Sequence, residues 1–98
     1  MKPIQVLGLG HYVPDQEIKN DDLVTMGLDT SDQWIKDRTG IEARRIISQG
    51  EDSSDLAVRA AKKALDTAQI DVSEIDLIVL GTSTSDYSGF PSTACVVQ

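Results

Sequence analysis

Apolar positions along this chain follow three rhythms. Ile4 to Leu9 (IQVLGL) and Leu77 to Leu80 (LIVL) are short, nearly continuous apolar runs, and each predicts a strand. The second is apolar on both strand faces, which predicts a central parallel strand covered by helices on either side. Between them Leu56, Ala60, Ala61, Ala64, Leu65 and Ala68 recur at three- and four-residue steps, so Ser54 to Ala68 predicts a helix with one narrow apolar stripe. Arg59, Lys62, Lys63 and Asp66 face the other way. A stripe so rich in alanine implies close approach to a neighbouring element, read here as a sheet. Strand, helix, strand in this order implies a right-handed crossover and the α/β class.

The polar stretches punctuate these runs. Asp15 to Lys19 reads as a loop, and Asn20 as the cap of a short helix through about Met26, closed by Gly27. Ile41 to Ile47 reads as extended. Its Arg44 and Arg45 point to opposite faces, so the pair cannot easily grip one phosphate. Ser48 to Asp52 is a loop and Gln69 to Asp76 an acidic connection. Gly81 to Gly89 (GTSTSDYSG) is a polar loop after a strand's C-terminal end, where α/β proteins place ligands. Pro91 then suits the first turn of a final helix. The Gly8-Leu9-Gly10 turn lacks a third glycine and a following helix, so it reads as a strand end and not as a nucleotide loop. No internal repeat is present.

The chemically informative stretch lies between Gly27 and Ile41. Thr30 is placed to cap a helix, Gln33 to return the bond of a capping box, and Asp32 to favour the helix dipole. Gly40 is placed to end the helix in a left-handed conformation. Trp34 and Arg38 are one turn apart and share a face. A flat indole and a flat guanidinium at that spacing can hold a planar ring between them, and the guanidinium can also reach a phosphate. A nucleotide offers both groups. The competing reading makes Trp34 a packing anchor and Arg38 a solvated residue near the helix end.

Composition narrows the partners. The chain has 98 residues, a formal net charge of −7, 40% hydrophobic residues and only 4% aromatics. The length suits one small domain or part of a larger one, and the core must be mostly aliphatic. The acidic balance argues against nucleic acid and anionic membranes, and against this segment itself docking an acidic carrier protein. One cysteine, Cys95, and one histidine, His11, allow no internal disulfide and no multi-cysteine metal site. A reducing, cytoplasmic setting follows most simply, with no membrane span and no N-terminal leader expected. His11 reads as a turn residue. Cys95 sits within the last helix among Ala94, Val96 and Val97, and reads as a buried small hydrophobe.

The wording TSDQWIKDRTGIEARR, from Thr30 to Arg45, resembles the hallmark of the ketoacyl-acyl carrier protein synthase III family, the initiating condensing enzymes of type II fatty acid synthesis. GLGHYVPD, Asn20 with Asp22-Leu23, DLIVLGTSTSD and FPSTAC match in order along the rest of the chain. The resemblance implies a thiolase-like layered α/β/α/β/α architecture, with residues 1–98 as part of its N-terminal half. It implies that Trp34 and Arg38 sandwich the adenine of coenzyme A and that Thr30 contacts it. It implies that Phe90 reaches across a homodimer to line the partner's acyl pocket, where the plain alternative is a hydrophobic loop anchor. The implied substrates are an acyl-coenzyme A primer, acetyl above all, and malonyl-acyl carrier protein, with no permanently bound cofactor. The implied Cys-His-Asn catalytic set is expected beyond Gln98, so this chain alone is expected to be inactive and unstable. A thiolase-superfamily relative with another acyl acceptor, or a non-catalytic coenzyme A-binding or dimerisation piece, are the alternatives.

Overall fold

A two-stranded antiparallel ribbon organises residues 13–49 of the computed structural model, which describes all 98 residues. Its strands are β1, Gln16–Lys19, and β2, Ala43–Ile46, in a register that sets Gln16 opposite Ile46 and Lys19 opposite Ala43. The polar run QEIK was expected to be a loop. It is a strand because only Ile18 turns inward, and one apolar position in four leaves no alternation to see. Ile18 and Ile35 are the only buried hydrophobic side chains of the chain, and both belong to this unit. The two arginines of β2 have separate tasks, as their opposite directions require. Arg44 donates to the Asn20 side chain at 2.6 Å, and Arg45 donates to the Pro14 carbonyl at 3.1 Å and pairs with Glu17 at 3.4 Å.

Helix α1, Asn20–Thr25, follows β1 directly, and helix α2 spans Asp32–Thr39. Two capping expectations need correction. Lys19, not Asn20, occupies the position before α1, and its amide donates to Asp22 at 2.7 Å. Asn20 is already inside the helix and wholly buried. At α2 the cap is Ser31, whose hydroxyl accepts from the Trp34 amide at 3.1 Å. Thr30 lies one residue too early, and Gln33 bonds forward to Asp37 at 2.7 Å and makes no capping box. Gly27 and Gly40 end α1 and α2 with φ of 94° and 71°, values that a side chain resists.

Residues 1–12 and 50–98 form the second unit. Its spine is α3, Ser53–Ala68, opened by an Asp52 amide that donates to Asp55 at 2.8 Å and ended by Gln69 in the left-handed region. The alanine stripe does receive a close neighbour. A Cβ on Gly8 would lie 2.6 Å from the Ala64 carbonyl oxygen, and one on Gly10 would overlap the backbone of Ala60, Lys63 and Ala64. That neighbour is an extended segment and not a sheet. Neither Ile4–Leu9 nor Leu77–Leu80 enters a ladder, and β1 with β2 is the only sheet. A strand exists only through its hydrogen-bonded neighbours, and these two segments find none in each other or elsewhere in the chain. The crossover read from their order is therefore not formed here. Between them and α3 runs an apolar groove of about 540 Å³, lined by Val6, Leu7, Leu65, Ile75 and Ile78 among others.

The 81–92 loop is tied to the start of α3. Asp86 accepts from the Ser54 amide at 2.9 Å and from its hydroxyl, and Ser53 donates to the Thr84 carbonyl. Helix α4, Thr93–Val97, packs on α3 and is capped by Ser92, so Pro91 precedes the cap and lies outside the first turn. Cys95 is exposed, contrary to the buried role expected of it. A five-residue helix has one face against α3, and Cys95 falls on the other. His11 is exposed, and no group of side chains is arranged to hold a metal ion.

Candidate functional site

Helix α2 carries the candidate site, and its local sequence explains the presentation. Ser31 starts the helix, Asp32 in the first turn pairs with Lys36 at 2.8 Å, and Gly40 stops it after eight residues. Ile35 is the one side chain that α2 buries. Trp34 and Arg38 lie on the flank beside it, both exposed, with Trp34 retaining 55% of its accessible surface. The packing-anchor reading of Trp34 does not fit that exposure.

Arg38 lies over the indole, with Cζ 5.4 Å from the ring centroid. This is a cation–π contact, and it is closed on itself. A planar ring placed between the two groups needs two contacts of ~3.5 Å, or about 7 Å in all. The guanidinium must therefore swing outward by roughly 1.5 Å to admit one, a motion its exposed stem permits without disturbing the backbone.

Beside the indole is a cleft of about 350 Å³ lined by Asp29, Thr30, Ser31 and Trp34. The Thr30 hydroxyl is sealed from solvent and has no hydrogen-bond partner. A buried hydroxyl without a partner is uncommon and costs about 1–3 kcal/mol. Thr30 borders the cleft, and a turn of its side chain about χ1 would bring the hydroxyl to an incoming polar group. Spacing points to Trp34 and Arg38 and the family resemblance adds Thr30; Thr30 and Trp34 line the same cleft, and Arg38 lies over the indole. Asp29 and Ser31 also line that surface and went unnoticed. The Ser31 signal was present, because a serine three residues before Trp34 is as good a cap candidate as Thr30.

The charges around α2 are ordered. The Lys36 ammonium and then the Asn20 carboxamide hold the Asp32 carboxyl below its usual range, and Asp32 in turn raises Lys36. Both groups are therefore ionised at neutral pH, and the pair lies on the side of α2 away from Trp34.

Phe90 belongs to the other unit and projects freely, 97% exposed, between Gly89 and Pro91. Arg59 lies over Tyr12 at 4.7 Å and pairs with Glu51, and Lys63 approaches the same ring at 5.7 Å. That cluster was not anticipated, because Tyr12 and Arg59 are 47 residues apart.

Comparison with known proteins places the chain. No family model matches it. Over all 98 residues it is 49% identical to beta-ketoacyl-[acyl-carrier-protein] synthase III of Neisseria meningitidis serogroup C, and it spans 30% of that protein. Among solved structures it resembles 3-oxoacyl-[acyl-carrier-protein] synthase III of Aquifex aeolicus, with 46% identity and a TM-score of 0.84 over 93% of this chain and 29% of that one. It also resembles the priming beta-ketosynthase of a polyketide biosynthetic pathway, with 36% identity and a TM-score of 0.85 over 95% of this chain and 27% of that one. The chain is homologous to beta-ketoacyl-acyl carrier protein synthase III and covers about three-tenths of the curated relatives it matches. Its mixed α/β elements superpose on part of those larger structures. No helix is long and apolar enough to cross a membrane.

Proposed function

We propose that this chain is a segment of a ketoacyl-acyl carrier protein synthase III, a thiolase-like enzyme that condenses an acyl-coenzyme A primer with malonyl-acyl carrier protein, and that its own task is to hold coenzyme A. The observation that carries the second part is the exposed Trp34–Arg38 stack beside a cleft bordered by Thr30, whose hydroxyl has no partner. In this reading adenine enters between indole and guanidinium, and Thr30 gains the partner it lacks. Arg38, paired with no carboxylate, keeps its charge available for a phosphate of the same ligand.

The condensation itself needs a thiolate to carry the acyl group and polar donors to stabilise the enolate that forms as carbon dioxide leaves. Cys95 is a poor candidate for the thiolate. It is the middle residue of a five-residue helix, its thiol accepts from Ser92 at 3.2 Å, and neither a histidine nor a cation adjoins it. The nucleophile and its partners are assigned to the portion of the enzyme outside these residues, and so is the surface that receives the carrier protein. Phe90, projecting from a loop pinned to α3, is assigned to a homodimer contact that lines the partner's acyl pocket. A second reading, with a different acyl acceptor, draws support from the likeness to the polyketide priming ketosynthase.

Titrating coenzyme A into the full-length protein while following Trp34 fluorescence tests the proposal. A saturable change that is weakened in Arg38→Ala is expected, and an unaltered emission at millimolar coenzyme A would overturn it. Trp34 is the only tryptophan of this segment, so a second variant, Trp34→Phe, assigns the signal.

A further inference from the structure

Asn20 is the most enclosed side chain in the chain, with no exposed surface, and its carboxamide is fully used. The amide nitrogen donates to Asp32 Oδ1 and to the Ile41 carbonyl oxygen, each at 2.8 Å. The amide oxygen accepts from Arg44 at 2.6 Å, and the backbone N–H donates to the Glu42 carbonyl at 3.2 Å. The two amide protons therefore bracket α2. One reaches its first residue, and the other reaches the residue just past its Gly40 cap.

That bracket matters because little else orients the helix. Ile35 is the only side chain of α2 that is buried, and burial of one apolar group is not directional. A helix held by one isoleucine is free to roll about its axis, whereas a hydrogen bond fixes distance and angle together. Asp32 and Trp34 are two residues apart, about 200° around the helix, so Asp32 stands on the far side from the Trp34–Arg38 face. Any roll at Asp32 moves the indole and guanidinium by a matching arc.

We propose that Asn20 is a positioning residue for the coenzyme A clamp, acting through Asp32 to set the roll of α2. The inference rests on the reading of Trp34 and Arg38 given above. Asn20 touches no ligand in this scheme. Its contribution is to hold the clamp at one angle to the Thr30 cleft.

Removing Asn20 itself strips the Arg44 guanidinium and the Ile41 carbonyl of these bonds at once and so puts the fold of residues 13–49 at risk. The test therefore uses Asp32 in the full-length protein, with coenzyme A as the probe. Asp32→Ala removes the tether and leaves the other Asn20 bonds intact. Asp32→Asn keeps an acceptor for the Asn20 amide but loses the charge. Lys36→Ala removes only the ion pair. Dissociation constants are read by Trp34 fluorescence, thermal midpoints alongside, and KM and kcat for the acyl-coenzyme A substrate. Asp32→Ala is expected to weaken binding and raise KM five- to tenfold at unchanged kcat, whereas Asp32→Asn and Lys36→Ala stay within twofold of wild type. Equal loss in Asp32→Ala and Lys36→Ala would assign the effect to the ion pair and overturn the proposal. So would equal loss in Asp32→Ala and Asp32→Asn, or an unaffected Asp32→Ala beside a weakened Arg38→Ala. If Arg38→Ala is itself without effect, the clamp reading fails and takes this inference with it.

Discussion

Arg38 acts in this structure as a movable lid on an indole. It pairs with no carboxylate, and its guanidinium lies 5.4 Å from the ring centre. Opening costs only an exposed cation–π contact, which the ligand's ring then replaces. Arg38→Ala should therefore weaken coenzyme A binding by about 1 kcal/mol, or roughly fivefold, because an exposed stack is worth less than a desolvated one. Isothermal titration of the full-length protein measures it, and an unchanged constant would remove Arg38 from the site. Gly10 is a residue of the opposite kind, fixed by what touches it. A methyl group there meets the backbone of Ala60, Lys63 and Ala64, none of which can rotate away. Gly10→Ala should cost about 1–3 kcal/mol through overpacking. Gly89→Ala, with nothing within 4 Å, should stay within about 0.5 kcal/mol. Denaturant midpoints of the two variants in the full-length protein decide it.

At the scale of elements, α2 is held by polar groups and α3 by backbone proximity. The Asp32–Lys36 pair gives α2 a defined pH window. Asp32 is depressed below the ordinary carboxylate value of 3.8, so its contribution is complete above that value and is lost as pH falls through the lower, folded one. Lys36 is raised above 10.5, so its contribution is complete below that value and is lost as pH rises through the higher, folded one. The stability difference between the wild type and Lys36→Ala should be flat across neutral pH and shrink outside both limits. A difference that varied between pH 5 and 9 would contradict the assignment. The register of β1 with β2 belongs to this scale as well. Only one of four β1 residues is buried, so pairing and not periodicity defines the strand.

At the scale of the whole molecule, two buried hydrophobic side chains are very few for 98 residues. Ile4, Leu77 and Val79 are largely exposed, and the groove between their segments has no strand in it. Unpaired apolar segments of this kind associate with other chains. The isolated 98-residue chain should bind a hydrophobic dye, lack a cooperative thermal transition and show no condensing activity with acetyl-coenzyme A and malonyl-acyl carrier protein. A sharp monomeric melt, or acyl transfer above background, would contradict the view that these residues are one portion of a larger fold.

Helix α3 was legible because its apolar period is local and strong, and α2 because a stop glycine and a first-turn acid bracket it. The Trp34–Arg38 face was legible for the same reason, since residues four apart on a helix are neighbours whatever surrounds them. Asn20 was readable only as a cap, because its partners Asp32, Ile41 and Arg44 lie 12, 21 and 24 residues away. The strand character of Gln16–Lys19 was hidden for a like reason. The amino-acid order by itself therefore determined the helices, the glycine stops of α1 and α2 and the wording shared with the synthase relatives, all of which depend on neighbours within a turn. Tertiary structure alone decided which strands pair, which polar group sits at the centre of residues 13–49, and that Thr30 lines a cleft without capping a helix. Those outcomes depend on which distant groups meet, and hydrogen bonds between distant groups leave no period in a sequence.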